Sequence, residues 1–332
     1  MDGERGFIIL VYILLLAGLA ILFVGGELLV RGAVGAARGL GISPLLIGIT
    51  LVGFGTSTPE LFASVKAALA DSPGIAIGNV VGSNIANILL ILGITALLAP
   101  IAILRDSFRR DGAVMLGATA LVGAVLLRDH IGRWMGLFFI ALLAAYLVHC
   151  YFSEKSGRIE SQHAAEAAVI EPVRGPIWRP IFLAILGLAG VIFGARLLVE
   201  AAIELAVMSG VSETVIGVSI VAVGTSLPEL AASVSAALRR HGDIAIGNIL
   251  GSNIFNLLFI LGATAIIRPL SVPAEILQLD YWVMAGASIL LVLVAYTGWQ
   301  IVRREAVLFL LLYAGYMTLL FWPPAQTLLG VQ

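Results

Sequence analysis

The chain has 332 residues, of which 60% are hydrophobic and 12% are charged, and its formal net charge is −1. Soluble domains average about 25% charged residues, so this composition excludes an ordinary soluble protein. No basic excess indicates nucleic acid as a partner, and the single cysteine, Cys150, excludes an intramolecular disulfide or a cysteine metal cluster. The apolar run 7–24 lacks a small-residue cleavage site, so it predicts a first membrane span and not a signal peptide.

Further apolar segments follow along the chain, and each is close to the roughly 20 residues that a membrane-spanning helix needs. They predict ten spans: 7–30, 43–70, 74–99, 111–128, 133–152, 180–207, 212–238, 244–267, 281–298 and 305–322. The polar stretch 153–178 predicts a cytoplasmic linker with a short helix around 160–169. The linker separates a first five-helix repeat, 1–152, from a second five-helix repeat, 179–332.

The two halves share sequence at a constant offset of 169 residues. GITLVGFGTSTPE at 48–60 corresponds to GVSIVAVGTSLPE at 217–229, and 28 of 46 positions are identical between 48–93 and 217–262. Such a match indicates an internal duplication. Because each repeat has five spans, the second must enter the membrane from the opposite side, an arrangement typical of secondary transporters. We therefore expect an all-α polytopic membrane protein with ten transmembrane helices in two inverted-topology repeats, each with a broken helix at its motif.

The basic residues predict the orientation. If both termini are extracytoplasmic, the cytoplasmic loops and helix ends hold 13 of the 19 lysines and arginines, as cytoplasmic loops generally do. These are Arg31, Arg38, Arg105, Arg109, Arg110, Lys155, Arg158, Arg174, Arg179, Arg239, Arg240, Arg303 and Arg304.

One glutamate in each motif, Glu60 and Glu229, is predicted to lie near the middle of the membrane. A charged side chain there costs at least ~2.5–3.5 kcal/mol, so such residues usually face a polar cavity and mark a transport route. Inverted repeats bring the two carboxylates together, where they repel unless a cation or proton lies between them. The alternative is a buried carboxylate that is kept neutral by protonation and has no transport role.

The surroundings of the two glutamates are rich in oxygen. Pro59 and Pro228 predict helix breaks that free backbone carbonyls at 53–56 and 222–225. Hydroxyl and amide oxygens can complete a cage; they belong to Thr56, Ser57, Thr225, Ser226, Ser83, Ser252, Asn87 and Asn256. Oxygen ligands suit Ca²⁺, and Na⁺ accepts the same ligands at a similar size.

Other polar residues are assigned structural positions. Packing is the better interpretation for Ser64, Ser233, Asn84 and Asn253, whereas Asn79 and Asn248 are equally compatible with packing and with the mouth of the ion route. Glu27 with Arg31 and Arg196 with Glu200 have the i,i+4 spacing of helical ion pairs. Six residues at predicted span ends are interpreted as flanking charges: Asp106, Asp111, Arg128, Asp129, Arg133 and Asp280. No histidine has a partner at metal-ligand spacing.

GTSTPE and GTSLPE, each followed by GNxxGSNIxN, resemble the α-1 and α-2 repeats of the calcium/cation antiporter superfamily, and the chain is similar to its prokaryotic sodium/calcium exchangers. The resemblance implies alternating access in which Na⁺ entry drives Ca²⁺ extrusion, with spans 7–30 and 180–207 as a sliding gate. It implies that Glu60 and Glu229 are shared ligands. The same resemblance assigns further cation contacts to Gly53, Ala222, Thr56, Thr225, Ser57, Ser226, Ser83, Ser252, Asn87 and Asn256.

One position departs from some prokaryotic members, which carry an aspartate where this chain has Asn256. Two carboxylates then leave the coupling ratio open, and a proton-coupled or K⁺-dependent cation exchanger stays an alternative. A cation channel with a glutamate ring is a weaker alternative, because broken helices in inverted repeats favour a carrier. No nucleophile with a base indicates an enzyme. We expect a monomer in the plasma (inner) membrane, with no cofactor.

Overall fold

The computed structural model describes residues 2–155, 176–208, 222–274 and 276–321. The predicted linker helix around 160–169 and the beginning of the seventh predicted span, 212–221, lie outside these ranges. The described chain is almost entirely helical, as its long apolar segments predict.

The first half contains eight α-helices within its described residues. They are α1 Asp2–Leu40, α2 Pro44–Ile47, α3 Gly53–Thr56, α4 Thr58–Leu69, α5 Pro73–Ile85, α6 Leu92–Leu98, α7 Arg105–Leu126 and α8 Arg133–Lys155. Two π-helical segments, Gly48–Val52 and Ala86–Ile91, connect α2 with α3 and α5 with α6. Two short strands, β1 Ile101–Ala102 and β2 His130–Ile131, lie at the two ends of α7.

The described part of the second half repeats this order. Its α-helices are α9 Trp178–Met208, α10 Ala222–Thr225, α11 Leu227–Leu238, α12 Gly242–Phe255, α13 Leu261–Ile267, α14 Tyr281–Gly298 and α15 Arg303–Phe321. The π-helical segment Asn256–Ile260 connects α12 with α13, and a second one, Ile276–Asp280, leads into α14. The strands are β3 Leu270–Ser271 and β4 Gln300–Ile301.

Six segments of the described chain are long and apolar enough to cross a membrane: Ile9–Leu40, Pro73–Leu98, Arg133–Ser153, Trp178–Ala201, Gly242–Ile267 and Ile276–Gly298. Helices also occupy the other four predicted positions, although the second is interrupted and the seventh is described only from residue 222. The count of ten spans therefore stays a prediction. Pro73–Leu98 and Gly242–Ile267 are 78% and 83% buried, against 28% for the others, so they form the centre of the molecule.

The strands show that the two halves have opposite orientations. β1 pairs with β4, and β2 pairs with β3, both antiparallel. The 22-residue helix α7 separates β1 from β2 by about 33 Å, which is close to the thickness of a bilayer. The offset of 169 makes β3 the counterpart of β1, yet β3 lies with β2 at the other end of α7. Equivalent strands thus lie at opposite faces of the molecule, as inverted repeats require.

Helices α1 and α9 pack side by side along a line of glycines. A Cβ added at Gly32 would lie 2.2 Å from the backbone nitrogen of Ala184, and one added at Gly187 would lie 2.2 Å from that of Leu29. Only residues without a side chain permit backbones to approach this closely, and small residues serve the same purpose at other membrane helix interfaces. The numbering rises along α1 as it falls along α9, so the two helices are antiparallel.

α1 continues ten residues beyond its predicted end at residue 30 and stops at Leu40. Its additional turns lie against the beginning of α9, where Cβ atoms added at Gly35 and Gly39 would meet the side chains of Pro180 and Ile177. Packing against this second helix explains why α1 extends beyond the predicted membrane span.

Candidate cation site

Both motifs place their glutamate at the start of a helix that follows a break. Ser57, with φ −80° and ψ 7°, leaves the helical conformation between α3 and α4. Ser226, with φ −93° and ψ 5°, does the same between α10 and α11. Each break lies two residues before the motif proline, which occupies the first turn of the next helix, where its missing N–H is harmless. Glu60 and Glu229 follow in this turn, at the positive end of the helix dipole.

Each glutamate accepts a hydrogen bond from a serine of the other repeat. The Ser57 hydroxyl donates to Oε1 of Glu229 at 3.0 Å, and the Ser226 hydroxyl donates to Oε1 of Glu60 at 3.3 Å. Glu60 is 1% exposed and Glu229 is fully buried. The second carboxylate oxygen, Oε2, is buried without a hydrogen-bond partner in both residues. Buried polar atoms are normally satisfied, so this pair of oxygens is suited to a ligand.

A second pair of hydrogen bonds fixes the backbone at both glutamates. The Asn79 side-chain amide donates to the carbonyl of Glu60 at 3.1 Å and to the hydroxyl of Ser64 at 2.9 Å. Asn248 makes the same bonds to Glu229 at 3.2 Å and to Ser233 at 2.9 Å. Of the two interpretations that the sequence left open for these asparagines, the structure supports packing, and it confirms packing for both serines.

Two further asparagines, Asn87 and Asn256, lie in the π-helical segments of the two central helices and are 1% and 0% exposed. Oδ1 of Asn87 and both amide atoms of Asn256 are buried without a hydrogen-bond partner. Nδ2 of Asn87 donates to Oδ1 of Asn253 at 3.3 Å. π-Helical segments inside α-helices are frequent at functional sites. The side-chain oxygens of both asparagines therefore have no hydrogen-bond partner and are free to serve as cation ligands in the centre of the protein.

The sequence predicts that the helix break frees the backbone carbonyl of Gly53, but the structure shows this carbonyl hydrogen-bonded. It accepts hydrogen bonds from the backbone N–H of Ser57 at 3.1 Å, from the hydroxyl of Thr56 at 3.3 Å and from the hydroxyl of Ser252 at 3.4 Å. The helix turn from Gly53 to Ser57 stays closed because the break comes only at Ser57. Thr56 is fully buried and also donates to Oδ1 of Asn248 at 3.3 Å.

The remaining candidate residues lie on α5 and α10. Ser83 is 6% exposed and lies in α5, four residues before the π-helical asparagine. Thr225 ends α10, immediately before the break at Ser226, and Ala222 begins α10. Among the described residues, no group of three or more histidine, cysteine, aspartate or glutamate side chains is placed to hold a metal ion. The site is therefore defined by two carboxylates with neutral oxygens around them.

The interpretation of Asp111 as a flanking charge is wrong, because it is buried, whereas Asp280 is half-buried at the start of α14. Asp111 is fully buried, forms an ion pair with Arg110 at 2.6 Å and accepts a hydrogen bond from Tyr146 at 3.0 Å. Its counterpart Asp280 accepts a hydrogen bond from Tyr316 at 2.9 Å. The offset of 169 between the two aspartates was the available signal, since flanking charges have no need of a matching partner.

The predicted helical ion pairs are present. Arg31 contacts Glu27 at 2.5 Å, and Arg196 contacts Glu200 at 2.7 Å. Arg239 at the end of α11 also forms an ion pair with Glu27, which the i,i+4 spacing could not predict.

Comparison with known proteins identifies relatives over nearly the whole chain. A family profile described as Sodium/calcium exchanger protein matches residues 10–152 and 179–322. Sodium/calcium exchanger MaX1 of Methanosarcina acetivorans is 35% identical over 94% of this chain and 98% of its own length. Putative antiporter CaxA of Alkalimonas amylolytica is 38% identical over 93% of this chain and 98% of its own length.

Solved structures of the sodium-calcium exchanger NCX_Mj share the fold. The form soaked with zero Na⁺ and Ca²⁺ matches with a TM-score of 0.81 at 32% identity, over 94% of this chain and 99% of that chain. The form soaked with 2.5 mM Na⁺ and 0.1 mM Ca²⁺ matches with a TM-score of 0.79 at 31% identity, over 95% and 99% of the two chains. This chain therefore belongs to the sodium/calcium exchanger protein family; it is a multi-pass membrane transporter and not an enzyme.

Proposed function

We propose that the chain exchanges Na⁺ for Ca²⁺ by alternating access, with Glu60 and Glu229 as ligands for both ions. The observation that carries the proposal is the reciprocal pair of serine–glutamate hydrogen bonds, which leaves one uncommitted carboxylate oxygen on each glutamate. Each inverted repeat thus contributes one buried carboxylate, which contacts a serine of the other repeat. Membership of the exchanger family supports the same ions.

Charge balance explains why the two ions compete for one centre. The pair carries a formal charge of −2 when both glutamates are ionised, so one Ca²⁺ or two Na⁺ neutralise it. An uncompensated charge at membrane depth costs at least ~2.5–3.5 kcal/mol. The empty, ionised site is therefore unfavourable in an occluded state, whereas either loaded site is favoured. A carrier that changes its access side only when loaded exchanges its ions instead of leaking them.

The neighbouring oxygens complete the coordination in this proposal. The amide oxygens of Asn87 and Asn256 have no other partner, so binding a cation there breaks no existing bond. Hydroxyl oxygens of Ser57, Ser226, Ser83 and Ser252 flank the centre, and backbone carbonyls of Thr56, Thr225, Gly53 and Ala222 contribute from the helix breaks. The carbonyl of Gly53 reaches a cation only if it exchanges some of its three hydrogen bonds for that contact. Ion binding is thus coupled to movement of α3.

Helices α1 and α9 are the moving part in this proposal. They pack on each other through close backbone contacts, but only 28% of each membrane-spanning segment is buried inside the protein. The central helices are 78% and 83% buried and hold the asparagines of the site. A tightly joined peripheral pair that slides along a rigid centre would expose the site alternately to the two sides.

We also propose that the chain acts as a monomer in the plasma membrane, with both termini extracytoplasmic. The face that carries β1 and β4 would be cytoplasmic, and Arg105 and Arg303 begin the helices that follow these strands. Clustering of arginine at one face supports this orientation, because cytoplasmic ends of membrane helices are enriched in basic residues.

Uptake of radiolabelled Ca²⁺ into proteoliposomes tests the function. The vesicles are loaded with Na⁺ and diluted into Na⁺-free buffer. We expect uptake with the wild type, and loss of uptake in Glu60→Gln and Glu229→Gln. Lys66→Gln is the matched control, because Lys66 lies on the same helix as Glu60 but is exposed. Intact uptake in Glu60→Gln would show that this carboxylate is not a transport ligand.

The same vesicles separate the alternative functions. Uptake that follows an imposed pH gradient and ignores Na⁺ would replace Na⁺ by H⁺ as the coupled ion, and a requirement for K⁺ would identify K⁺-dependent exchange. Single-channel currents across a planar bilayer would contradict the carrier mechanism. Ca²⁺ uptake that requires the Na⁺ gradient supports the exchanger.

A further inference from the structure

A pocket beside the ends of α1 and α9 has no role in the proposed transport cycle. It has a volume of about 580 Å³ and is open to the protein surface. Its polar lining comes from Arg31 and Arg38 of α1, Arg179 at the beginning of α9, and Arg239 and His241 after α11. Four arginines around one cavity make its surface strongly basic, and the cation site uses none of them.

The pocket lies at the face of the molecule that carries β1 and β4. A Cβ added at Gly242, the residue after His241, would lie 3.1 Å from the carbonyl oxygen of Ala102 in β1. This is the face that the distribution of basic residues predicts to be cytoplasmic. The pocket therefore lies at the level of the lipid headgroups of that leaflet.

Its positive charge is only partly compensated. Glu27 forms ion pairs with both Arg31 and Arg239. Within the described chain, neither Arg38 nor Arg179 forms an ion pair, and Arg179 lies 5.8 Å from the ring of Trp178. Two exposed guanidinium groups thus remain available for an anion.

His241 adds a polar group without adding much charge. Burial lowers the pKa of its imidazole below the usual value of about 6.5, and the nearby Arg38 and Arg239 act in the same direction, while Asp243 opposes them. Near pH 7 the ring is therefore mainly neutral and can donate one hydrogen bond. The attraction for an anion comes from the arginines, which match phosphate oxygens in a bidentate manner.

The rim of the pocket is apolar on the side of α9. Trp178 is 59% exposed and Phe182, one turn further along the helix, is 58% exposed, and both line the pocket. Tryptophan at the end of a membrane helix lies at the level of the headgroups. Arginines on the inside and aromatic side chains on the outside match a molecule that has a phosphate at one end and hydrocarbon at the other.

We propose that this pocket binds the phosphate headgroup of an anionic phospholipid from the surrounding leaflet. Basic pockets between membrane helices on the cytoplasmic side are typical sites for such headgroups. A free phosphate ion shares the anionic chemistry but leaves the apolar rim without a partner, so the lipid is the occupant that accounts for both parts of the surface.

Binding would join two parts of the transporter that move relative to each other. Arg38 and Arg179 belong to the α1–α9 pair, whereas Arg239 and His241 belong to the connection between α11 and α12 in the centre. A headgroup that contacts both parts favours the access state in which they are close, and it shifts the equilibrium by its difference in affinity for the two states. This effect on transport rests on the proposed sliding of α1 and α9, whereas lipid binding itself does not.

Lipid binding is tested by native mass spectrometry of the full chain with added phosphatidylglycerol. We expect bound lipid on the wild type and an affinity about 25-fold lower in the double variant Arg38→Gln/Arg179→Gln, since each basic residue near an anionic surface contributes roughly fivefold. Arg304→Gln is the control, because Arg304 is an exposed arginine that follows β4 on the same face outside the pocket. Equal affinity of wild type and double variant would overturn the proposal.

Two further arms identify the source of the anion. Phosphatidylcholine, which has no net charge, should bind more weakly than phosphatidylglycerol in the wild type and equally in the double variant. Inorganic phosphate should not displace the lipid at matched concentration. Full displacement by phosphate would assign the pocket to a soluble anion and overturn the lipid proposal. Trp178→Ala keeps all the arginines and should weaken lipid binding without affecting phosphate.

The effect on transport is measured in vesicles of phosphatidylcholine with increasing phosphatidylglycerol. We expect the wild-type rate of Na⁺-driven Ca²⁺ uptake to change with the anionic lipid and the double variant to stay constant. Uptake by the double variant in pure phosphatidylcholine verifies that it is folded. Lipid binding with no change in rate would confine the pocket to an anchoring role and overturn only the regulatory part. If the wild type bound the lipid but showed no Na⁺-driven Ca²⁺ uptake in vesicles of any composition, the proposed exchange function would be contradicted and the lipid site would stand.

Discussion

Replacing Gly32 by alanine places a methyl group in one of the closest backbone contacts between α1 and α9. The new Cβ would lie 2.2 Å from the nitrogen of Ala184, 2.6 Å from its Cα and 2.7 Å from the carbonyl oxygen of Pro180. To restore an ordinary contact of 3.4 Å, the two backbones must separate by about 1.2 Å. Backbone atoms cannot rotate away as side chains do, so we expect a loss of about 1–3 kcal/mol from overpacking.

Thermal unfolding of the purified protein measures this loss. Gly117→Ala in α7 is the control, because its Cβ would have no neighbour within 4 Å and alanine stabilises a helix by roughly 0.5–1 kcal/mol over glycine. Gly190→Ala, whose Cβ would lie 3.3 Å from the Cα of Gly25, should fall between the two. We expect Gly32→Ala to unfold at the lowest temperature and to slow Ca²⁺ uptake. The reasoning is refuted if Gly32→Ala is as stable as Gly117→Ala.

Three further predictions concern the interior. Asn256→Asp adds a third carboxylate to the site, so Ca²⁺ uptake should become more sensitive to low pH; an unchanged pH profile would place residue 256 outside the ion route. Asn248→Ala removes the hydrogen bond to the buried carbonyl of Glu229, which costs about 1–3 kcal/mol, and should lower both the unfolding temperature and the apparent Ca²⁺ affinity in uptake assays. If the affinity stays at the wild-type value, Asn248 does not position the glutamate. Asp111→Asn leaves the guanidinium of Arg110, which is 14% exposed, without its ionised partner, and breaking such a pair costs about 3–5 kcal/mol. Calorimetry that shows an unchanged unfolding temperature for this variant would contradict the importance of the buried ion pair.

The repeat offset predicted the main relation in the site, because an inverted duplication constrains which residues can meet. Equivalent residues lie on opposite sides of a pseudo-two-fold axis, so Glu60 and Glu229 had to approach each other if they lay at mid-membrane. The serine that contacts each glutamate comes from the other repeat for the same reason. Composition and periodicity alone would have indicated membrane helices and no particular site.

Asn79, Asn248 and Asp111 show what the sequence could not decide. The sequence of an apolar helix does not indicate which neighbouring helix each of its few polar residues faces. Asn79 and Asn248 were therefore equally compatible with packing and with the mouth of the ion route, and the structure shows that they bind the backbone carbonyls of the two glutamates. Asp111 looked like the first residue of a span, but α7 begins at Arg105. The aspartate thus lies almost two turns inside the helix, where Tyr146 of α8 contacts it.

The π-helical segments and the strands have no clear signature in a single sequence. A π-helical turn differs from an α-helical turn by one residue per hydrogen-bonded ring, and Ala86–Ile91 reads as an ordinary apolar run. Each strand has two residues, which is too short for an alternating pattern to be recognised.

Those short strands affect the order in which the protein can be assembled. Ile101 pairs with Ile301, and Ile131 pairs with Leu270, so each small sheet needs one strand from each half of the chain. Contacts between residues so distant in sequence close large loops and form slowly. A nascent chain that ends after α8 holds β1 and β2 without their partners. We expect the β2–β3 sheet to form first, once β3 has been synthesised, and the β1–β4 sheet at the opposite face to form only after β4 has been synthesised.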